Sequence, residues 1–224
     1  MKKLKALVFS ALFISLAVVP VKAEEETDKK VIACVGDSIT YGLVKDPQTG
    51  AESGTTYPDD LNLLLGNDYE VVNLGKPGAY VTKDDGTLCM WNQEEYKKAL
   101  DVKADSFIVM LGTNDSHEES FDEEKFKTSY LEFLESLQET HLDVDFYIMT
   151  PPCSYSDKAD EKLLHDQIYR IVNEIGLEKD IPVIDFHSYT HDHEEWYRDG
   201  LHPNDVGYAV LSAYIYDQIG EKLK

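Results

Sequence analysis

Five short apolar runs punctuate this chain, and segments of helical periodicity separate them. Residues 31–35, 69–73, 106–111, 145–149 and 181–185 each read as a strand. Between the first two, Leu61, Leu64 and Leu65 share one helical face, with Pro58 near its start and Gly66 just past its end. Residues 93–100 form a plausible short helix. Ser120 and Glu123 have capping-box spacing ahead of a helix running to about residue 139. Leu164, Ile168, Ile171, Val172 and Ile175 line a further face, which Gly176 is expected to stop. Asn204 can cap a last helix whose face is Tyr208, Leu211, Ile215 and Ile219. Strands this uniformly apolar, alternating with helices, predict an α/β fold with a five-stranded parallel sheet covered on both faces. In such sheets ligands gather outside the carboxyl ends of the strands. The segments just after each strand are therefore where chemistry is sought.

The first residues read as an address. Lys2, Lys3 and Lys5 precede a nearly apolar stretch over 6–21, and Val21-Lys22-Ala23 closes it with a small residue. This is the order of a secretory signal peptide over residues 1–23, with cleavage expected after Ala23 and an extracellular destination. Ser10, Ser15 and Pro20 interrupt the stretch, which is short for a membrane span. Residues 24–30 form a charged leader, and 31–224 form one domain, the size that 224 residues allow. Val31-Ile32-Ala33-Cys34 superficially resembles a lipoprotein cleavage box, but the charged leader separates it from the apolar stretch, so it reads as buried strand.

Charge narrows the partners. The formal net charge is −22, and losing residues 1–23 would remove four lysines and no acid. Polyphosphate backbones and anionic headgroups repel such a surface, so neither nucleic-acid binding nor stable membrane association after cleavage is expected. Three cysteines exclude a disulfide-built miniprotein. Cys34 reads as a core residue, whereas Cys89 and Cys153 fall in loops where they could pair.

The turns after the strands carry complementary chemistry. Gly36-Asp37-Ser38-Ile39-Thr40 follows the first strand, Asn73-Leu74-Gly75-Lys76-Pro77-Gly78 the second, and Gly112-Thr113-Asn114-Asp115 the third. Asp199-Gly200-Leu201-His202-Pro203-Asn204 follows the fifth across a loop. A serine hydroxyl is a weak nucleophile until a base takes its proton, and neutral histidine suits that task near pH 7. Asp199 stands three residues before His202 and could set the ring's tautomer. The attacked carbonyl becomes an oxyanion that needs preorganised donors. The backbone N–H groups of Ser38 and Gly78 and the amide of Asn114 are the natural candidates. Singly, each residue has a commonplace role: Ser38 as a turn residue, Asn114 bonding its own loop, Asp199 as a cap, His202 as a surface histidine. Four complementary segments at one sheet edge are much harder to explain that way.

These segments, in this order, resemble the blocks of the SGNH (GDSL-type) hydrolase family. Gly36-Asp37-Ser38 with Ile39-Thr40-Tyr41-Gly42 is a close match, as are Gly112-Thr113-Asn114-Asp115 and Asp199-Gly200-Leu201-His202-Pro203. The resemblance implies a three-layer flavodoxin-like fold, Ser38 as nucleophile, His202 as base and Asp199 as its orienting acid. It also implies an oxyanion hole of Ser38, Gly78 and Asn114. The second block departs from the family, which often has Ser-Gly-Asp where this chain has Pro77-Gly78-Ala79. The glycine survives while its polar support changes, with Gly75 as the fallback donor. The Gly-x-Ser-x-Gly elbow of α/β-hydrolases is absent around Ser38.

The resemblance spans lipases, lysophospholipases, thioesterases, arylesterases and carbohydrate deacetylases. The stretch from Met90-Trp91-Asn92 through Tyr96 and Leu100 is similar to a carbohydrate or sialate O-acetylesterase-like branch. A small-molecule or glycan acetyl ester is the first expectation, and a lysophospholipase or arylesterase activity the second. A catalytically idle binding module is the rival from another class. Tyr80, Trp91 and Trp196 are candidates for an aromatic substrate wall, with packing against the fold as the competing role. The loop over 45–56 could border the cleft or be a solvated excursion. No cofactor is expected. His187, His191, His193 and His202 crowd together with Asp192 and Glu194, but the chemistry needs no metal and none is expected. Oligomeric state is not legible.

Overall fold

A computed structural model of the chain describes residues 29–42, 54–117 and 121–220. The signal segment, the leader up to residue 28, most of the 45–56 loop and Ser120 lie outside the described residues. The sheet contains β1 (Lys30–Gly36), β2 (Tyr69–Gly75), β3 (Ser106–Met110), β4 (Asp145–Met149) and β5 (Val183–Ile184). All pairings are parallel, and the spatial order is β2-β1-β3-β4-β5. That is the flavodoxin-like order, whose connectivity reverses between β1 and β3.

Side chains alternate across this sheet with the period of two that a strand imposes. Ile32, Cys34, Ile108, Met110, Tyr147 and Met149 face one way, and Ala33, Val35, Phe107, Val109, Phe146 and Ile148 the other. Around the sheet lie α1 (Ser38–Tyr41), α2 (Tyr57–Leu65), α3 (Glu94–Asp101), α4 (Glu123–Thr140), α5 (Glu161–Leu163), α6 (Tyr169–Lys179), α7 (Phe186–Thr190) and α8 (Asp205–Ile219). The helices α4 and α6 cover the Ala33 face through Phe126, Tyr130, Phe133, Ile171 and Ile175. On the Ile32 face, α2 and α8 supply Tyr57, Leu61, Tyr208, Leu211 and Ile215. Full burial of each such side chain is worth about 1.5–3 kcal/mol. The three layers and both covered faces are as the periodicity predicts.

Local details differ from the expectations. β5 has only two residues. Pro182 has no N–H to give the ladder, and Asp185 leaves it to cap α7 by accepting from Ser188 N at 3.0 Å. The cap of α4 is Asp122, which accepts from Lys125 N at 3.0 Å, in place of the Ser120 box. Gly176 does not stop its helix. A Cβ there would stand 2.2 Å from Val183 Cγ2, so the glycine lets α6 lie close against β5. The helix ends instead at Asp180, in the left-handed region at φ 55. Before α6, residues Leu164–Ile168 form a π-helical turn. All three cysteines are free and buried, so Cys89 and Cys153 do not pair.

Candidate active site

Ser38 opens α1 directly after β1, at the reversal point of the sheet, and is 6% exposed. Asp37 caps this short helix, its Oδ1 accepting from Ile39 N at 2.8 Å. Asp37 is fully buried, and burial pushes its carboxyl up to about 6 against the opposing pull of the Ile39 N–H and the charge of His202. Asn73, at the end of β2, ties the same turn down from the neighbouring strand. Its amide donates to the carbonyls of Thr40 and Tyr41 at 2.9 and 3.3 Å, and its Oδ1 accepts from Gly75 N at 2.9 Å. The Gly75 N–H is therefore committed, which argues against the fallback role given to it.

The loop from 197 to 203 folds back on itself through a bridge between Tyr197 and Pro203, closed by Arg198 N donating to the His202 carbonyl at 2.8 Å. This closure places Asp199 beside its own downstream neighbours. Asp199 Oδ1 accepts from Leu201 N at 3.1 Å and His202 N at 2.8 Å. Asp199 Oδ2 lies 2.9 Å from His202 Nδ1 and also accepts from Lys158 Nζ. Burial works to raise the Asp199 carboxyl, but its bonds to His202 and Lys158 outweigh it and hold the group far below the usual carboxylate range. A permanent carboxylate at Nδ1 keeps the ring proton there and leaves Nε2 basic. Nε2 stands 2.9 Å from Ser38 Oγ. The structure thus brings together Ser38, His202 and Asp199 in one hydrogen-bonded chain.

The three candidate donors come from separate turns. The N–H groups of Ser38 and Gly78 make no hydrogen bond among the described residues. Gly78 has φ 78, a conformation that favours glycine and sets the direction of its turn. Asn114 donates one amide hydrogen to the Ala79 carbonyl at 2.9 Å, so its Nδ2 keeps a second hydrogen to give. Asp115 completes the support. Fully buried, it accepts from Val81 N at 3.2 Å, Thr82 N at 2.9 Å and Thr82 Oγ1 at 2.7 Å. The Asn114-Asp115 pair therefore holds the Gly78 turn from across the sheet edge, a role that Pro77 and Ala79 cannot fill.

Residues 34–210 match the GDSL-like lipase/acylhydrolase family. The chain belongs to this family.

Among its relatives, the acetylxylan esterase of Xylanibacter ruminicola is 27% identical over 205 residues, covering 82% of this chain. The chain spans 42% of that relative's length. An inhibitor-bound aryl esterase of M. smegmatis has a similar fold, with a TM-score of 0.66 at 21% identity over 86% of this chain and 99% of that one. A carbohydrate acetylesterase from Sinorhizobium meliloti superposes with a TM-score of 0.62 at 15% identity, over 86% of this chain and 99% of that one. Within the SGNH frame, the residues that sequence reasoning missed are Asn73, Asp115 and Lys158. Each is an ordinary polar residue whose partner is remote along the chain.

The three aromatic candidates make contacts that describe their surroundings. Trp91 packs edge-on against Tyr96 and Phe133 and donates Nε1–H to the Val81 carbonyl at 3.1 Å, with Lys83 over its ring. Tyr80 donates to Asp84 Oδ1 at 2.7 Å. Trp196 stacks on His193 at 3.7 Å and lies near Tyr189, which stacks on Tyr214 at 4.0 Å. The histidine-rich stretch does not converge: His191 pairs with Asp192, His193 with Glu195, and His202 with Asp199, while His187 turns into the interior.

Proposed function

We propose that the protein is a secreted serine ester hydrolase that removes small acyl groups, acetyl above all, from carbohydrate-type esters. The observation that carries the reading is the chain Ser38 Oγ, His202 Nε2, His202 Nδ1, Asp199 Oδ2, with 2.9 Å at both gaps. Ser38 attacks the ester carbonyl while His202 Nε2 takes the hydroxyl proton. The oxyanion is received by the N–H groups of Ser38 and Gly78 and the free hydrogen of Asn114 Nδ2. His202 returns the proton to the leaving alcohol, and an acyl-enzyme remains on Ser38. Water then attacks that ester, losing its proton to His202, and Ser38 is regenerated with the free acid. Asp199 stabilises the imidazolium through both steps and keeps its own charge.

The acetyl-carbohydrate preference rests on the relatives named acetylxylan esterase and carbohydrate acetylesterase. The net charge of −22 favours neutral substrates over anionic lipids. Secretion rests on residues 1–23. The test compares acetylated xylan and other acetylated glycans, short aryl esters and lysolipids on the wild-type chain and on Ser38→Ala. Acetate release from the glycans, lost in Ser38→Ala with folding intact, is the expected result. Turnover confined to aryl esters or lysolipids would replace the substrate class. Full activity in Ser38→Ala would end the assignment of Ser38 as nucleophile, and no labelling of Ser38 by a fluorophosphonate together with no turnover of any ester would favour a binding module.

A further inference from the structure

The carboxyl ends of β4 and β5 bring together a second set of reactive side chains that acyl transfer does not use. Cys153 comes from the loop after β4, Glu161 opens α5, His165 sits in the π-helical turn and His187 lies in α7. Cys153 and His187 are each 2% exposed, and Glu161 is half-buried. One ligand atom from each of Cys153, Glu161 and His187 lies within 4.8 Å of the other two. His187 Nε2 is the hub. It stands 3.6 Å from Cys153 Sγ, 3.5 Å from Glu161 Oε1 and 3.3 Å from His165 Nδ1, which approaches from the exposed rim.

Hydrogen bonding alone accounts poorly for this convergence. The Cys153 thiol can donate to the His187 carbonyl at 3.2 Å, but the His187 ring nitrogen has one site, as donor or as acceptor, and both Glu161 and His165 are directed at it. Tetrahedral zinc offers a better account. With bonds of about 2.3 Å to sulfur and about 2.0–2.2 Å to nitrogen and oxygen, its ligand atoms stand roughly 3.3–3.6 Å apart. The separations of Cys153 Sγ and Glu161 Oε1 from His187 Nε2 fall in that range, and the three ligand atoms lie within 4.8 Å of one another. A thiolate with an imidazole and one carboxylate also suits zinc better than magnesium or calcium.

The surroundings orient these groups as a metal site requires. The His187 ring faces the Pro151 carbonyl, its backbone N–H donates to Thr150 Oγ1 at 2.9 Å, and Glu161 Oε2 accepts from Ser154 N. Cys153 N donates to Thr190 Oγ1 at 3.1 Å, which joins its loop to α7. Single-turn π bulges such as the one holding His165 occur often at functional sites.

We propose that Cys153, Glu161 and His187 form a zinc site whose fourth position is open, with His165 beside it at the rim. On binding, the Cys153 S–H bond breaks, its proton passes to water and the thiolate bonds the metal. Glu161 binds through Oε1 and neutral His187 through Nε2, and His165 at the rim orients a water in the fourth position. The ion pins both ends of the 153–161 loop. That loop backs the Asp199–His202 turn, because Tyr155 N donates to the Gly200 carbonyl at 2.7 Å and Lys158 pairs with Asp199. Zinc therefore acts on the orientation of Asp199 without meeting the substrate.

The full chain, purified from zinc-supplemented culture, is analysed for metal by mass spectrometry, stripped with chelator and titrated with zinc and with cobalt. One equivalent of zinc, a melting temperature that falls on stripping and recovers with zinc, and a thiolate-to-cobalt charge-transfer band are expected. Cys153→Ser should abolish the band. His165→Ala, on the rim and tolerant of folding, should keep the band while zinc affinity drops on the order of tenfold to a hundredfold. Sub-stoichiometric binding of both metals, a band that survives Cys153→Ser, or unchanged zinc affinity in His165→Ala would overturn the site as drawn. Stoichiometric binding of another metal in preference to zinc would overturn the choice of ion.

Discussion

Lys158 donates to the same Asp199 oxygen that faces the ring nitrogen Nδ1 of His202. The carboxylate that orients the base is thus shared with a cation from a different loop. Lys158 is 44% exposed in its side chain while Asp199 is 17% exposed, so solvent screens the ion pair from one side only. Partly exposed pairs of this kind contribute roughly 0–1 kcal/mol. Lys158→Met should therefore lower kcat by no more than about fivefold and leave KM unchanged. Asp199→Asn should cost on the order of 10⁴ in kcat, because an amide at that position favours the wrong imidazole tautomer. Steady-state kinetics of both variants on an aryl acetate checks the contrast, and equal losses would show that Lys158 is as essential as Asp199.

The Gly78 turn gives a separable prediction. A Cβ at position 78 would meet the Leu88 side chain first, with Cδ1 at 3.0 Å, and that flexible side chain can yield. The obstacle to Gly78→Ala is the backbone, since φ 78 costs a non-glycine residue about 1–2 kcal/mol. Turnover should fall by about 10²–10³ as the N–H swings from its position, with a similar loss in Asn114→Ala. Both variants should bind a substrate analogue nearly as well as the wild type. A kcat unchanged in Gly78→Ala would remove that N–H from the oxyanion hole.

Asp115 should matter more for stability than its place beside Asn114 suggests. Asp115→Ala strips three donors of their acceptor inside the protein, at about 1–3 kcal/mol for each group left buried and unpaired. A large drop in melting temperature is expected, together with a loss of turnover as the Gly78 turn loosens. Asp115→Asn, which keeps one acceptor oxygen, should recover part of the stability.

Asp37 sets a pH dependence of opposite sign to that of Asp199. Its carboxyl is raised from 3.8 to about 6 by burial, so between those values the folded chain binds a proton that the unfolded chain has lost. Stability from this group therefore falls as pH rises through that window, by about 3 kcal/mol, and the penalty persists above it. The Thr113 hydroxyl beside this carboxyl pulls the other way, but Asp37 Oδ2 and Thr113 Oγ1 make no hydrogen bond of ordinary geometry among the described residues. Asp37→Asn removes the ionisation and can still accept from Ile39 N. The variant should match the wild type near pH 4 and exceed it in denaturant stability above pH 6. The contribution of Asp199 is present above its unfolded value of 3.8 and lost below it, outside this window. Parallel stability curves for the wild type and Asp37→Asn would refute the assignment.

Much of this architecture was legible because it is periodic or local. The runs around Ile32, Ile108 and Ile148 are apolar on both sides of the pleat, as a doubly covered parallel sheet requires. The Ser38, Asn114 and Asp199–His202 turns carry their chemistry in consecutive residues. What escaped notice joins loops far apart along the chain. Lys158 and Asp199, Asp115 and Val81, and Cys153 and His187 are paired only by the course of the sheet, and no spacing rule encodes those pairs. Gly176 differs for another reason, since a glycine that ends a helix and one that lets a helix approach a strand look alike in sequence until the neighbour is known. The altered block at Pro77-Gly78-Ala79 keeps its donor because the donor is main chain, and its support lies in Asp115 on another turn.

Ser38 and His202 are separated by 164 positions, yet their contact is 2.9 Å. One half of the proposed hydrolytic machinery is made early in the polypeptide and the other near its end, after all five strands and with only α8 still to follow. Activity therefore reports on the finished molecule. A nascent or clipped chain ending before residue 199 would lack the proposed base, its orienting acid and the helix α8 that covers the Ile32 face of the sheet.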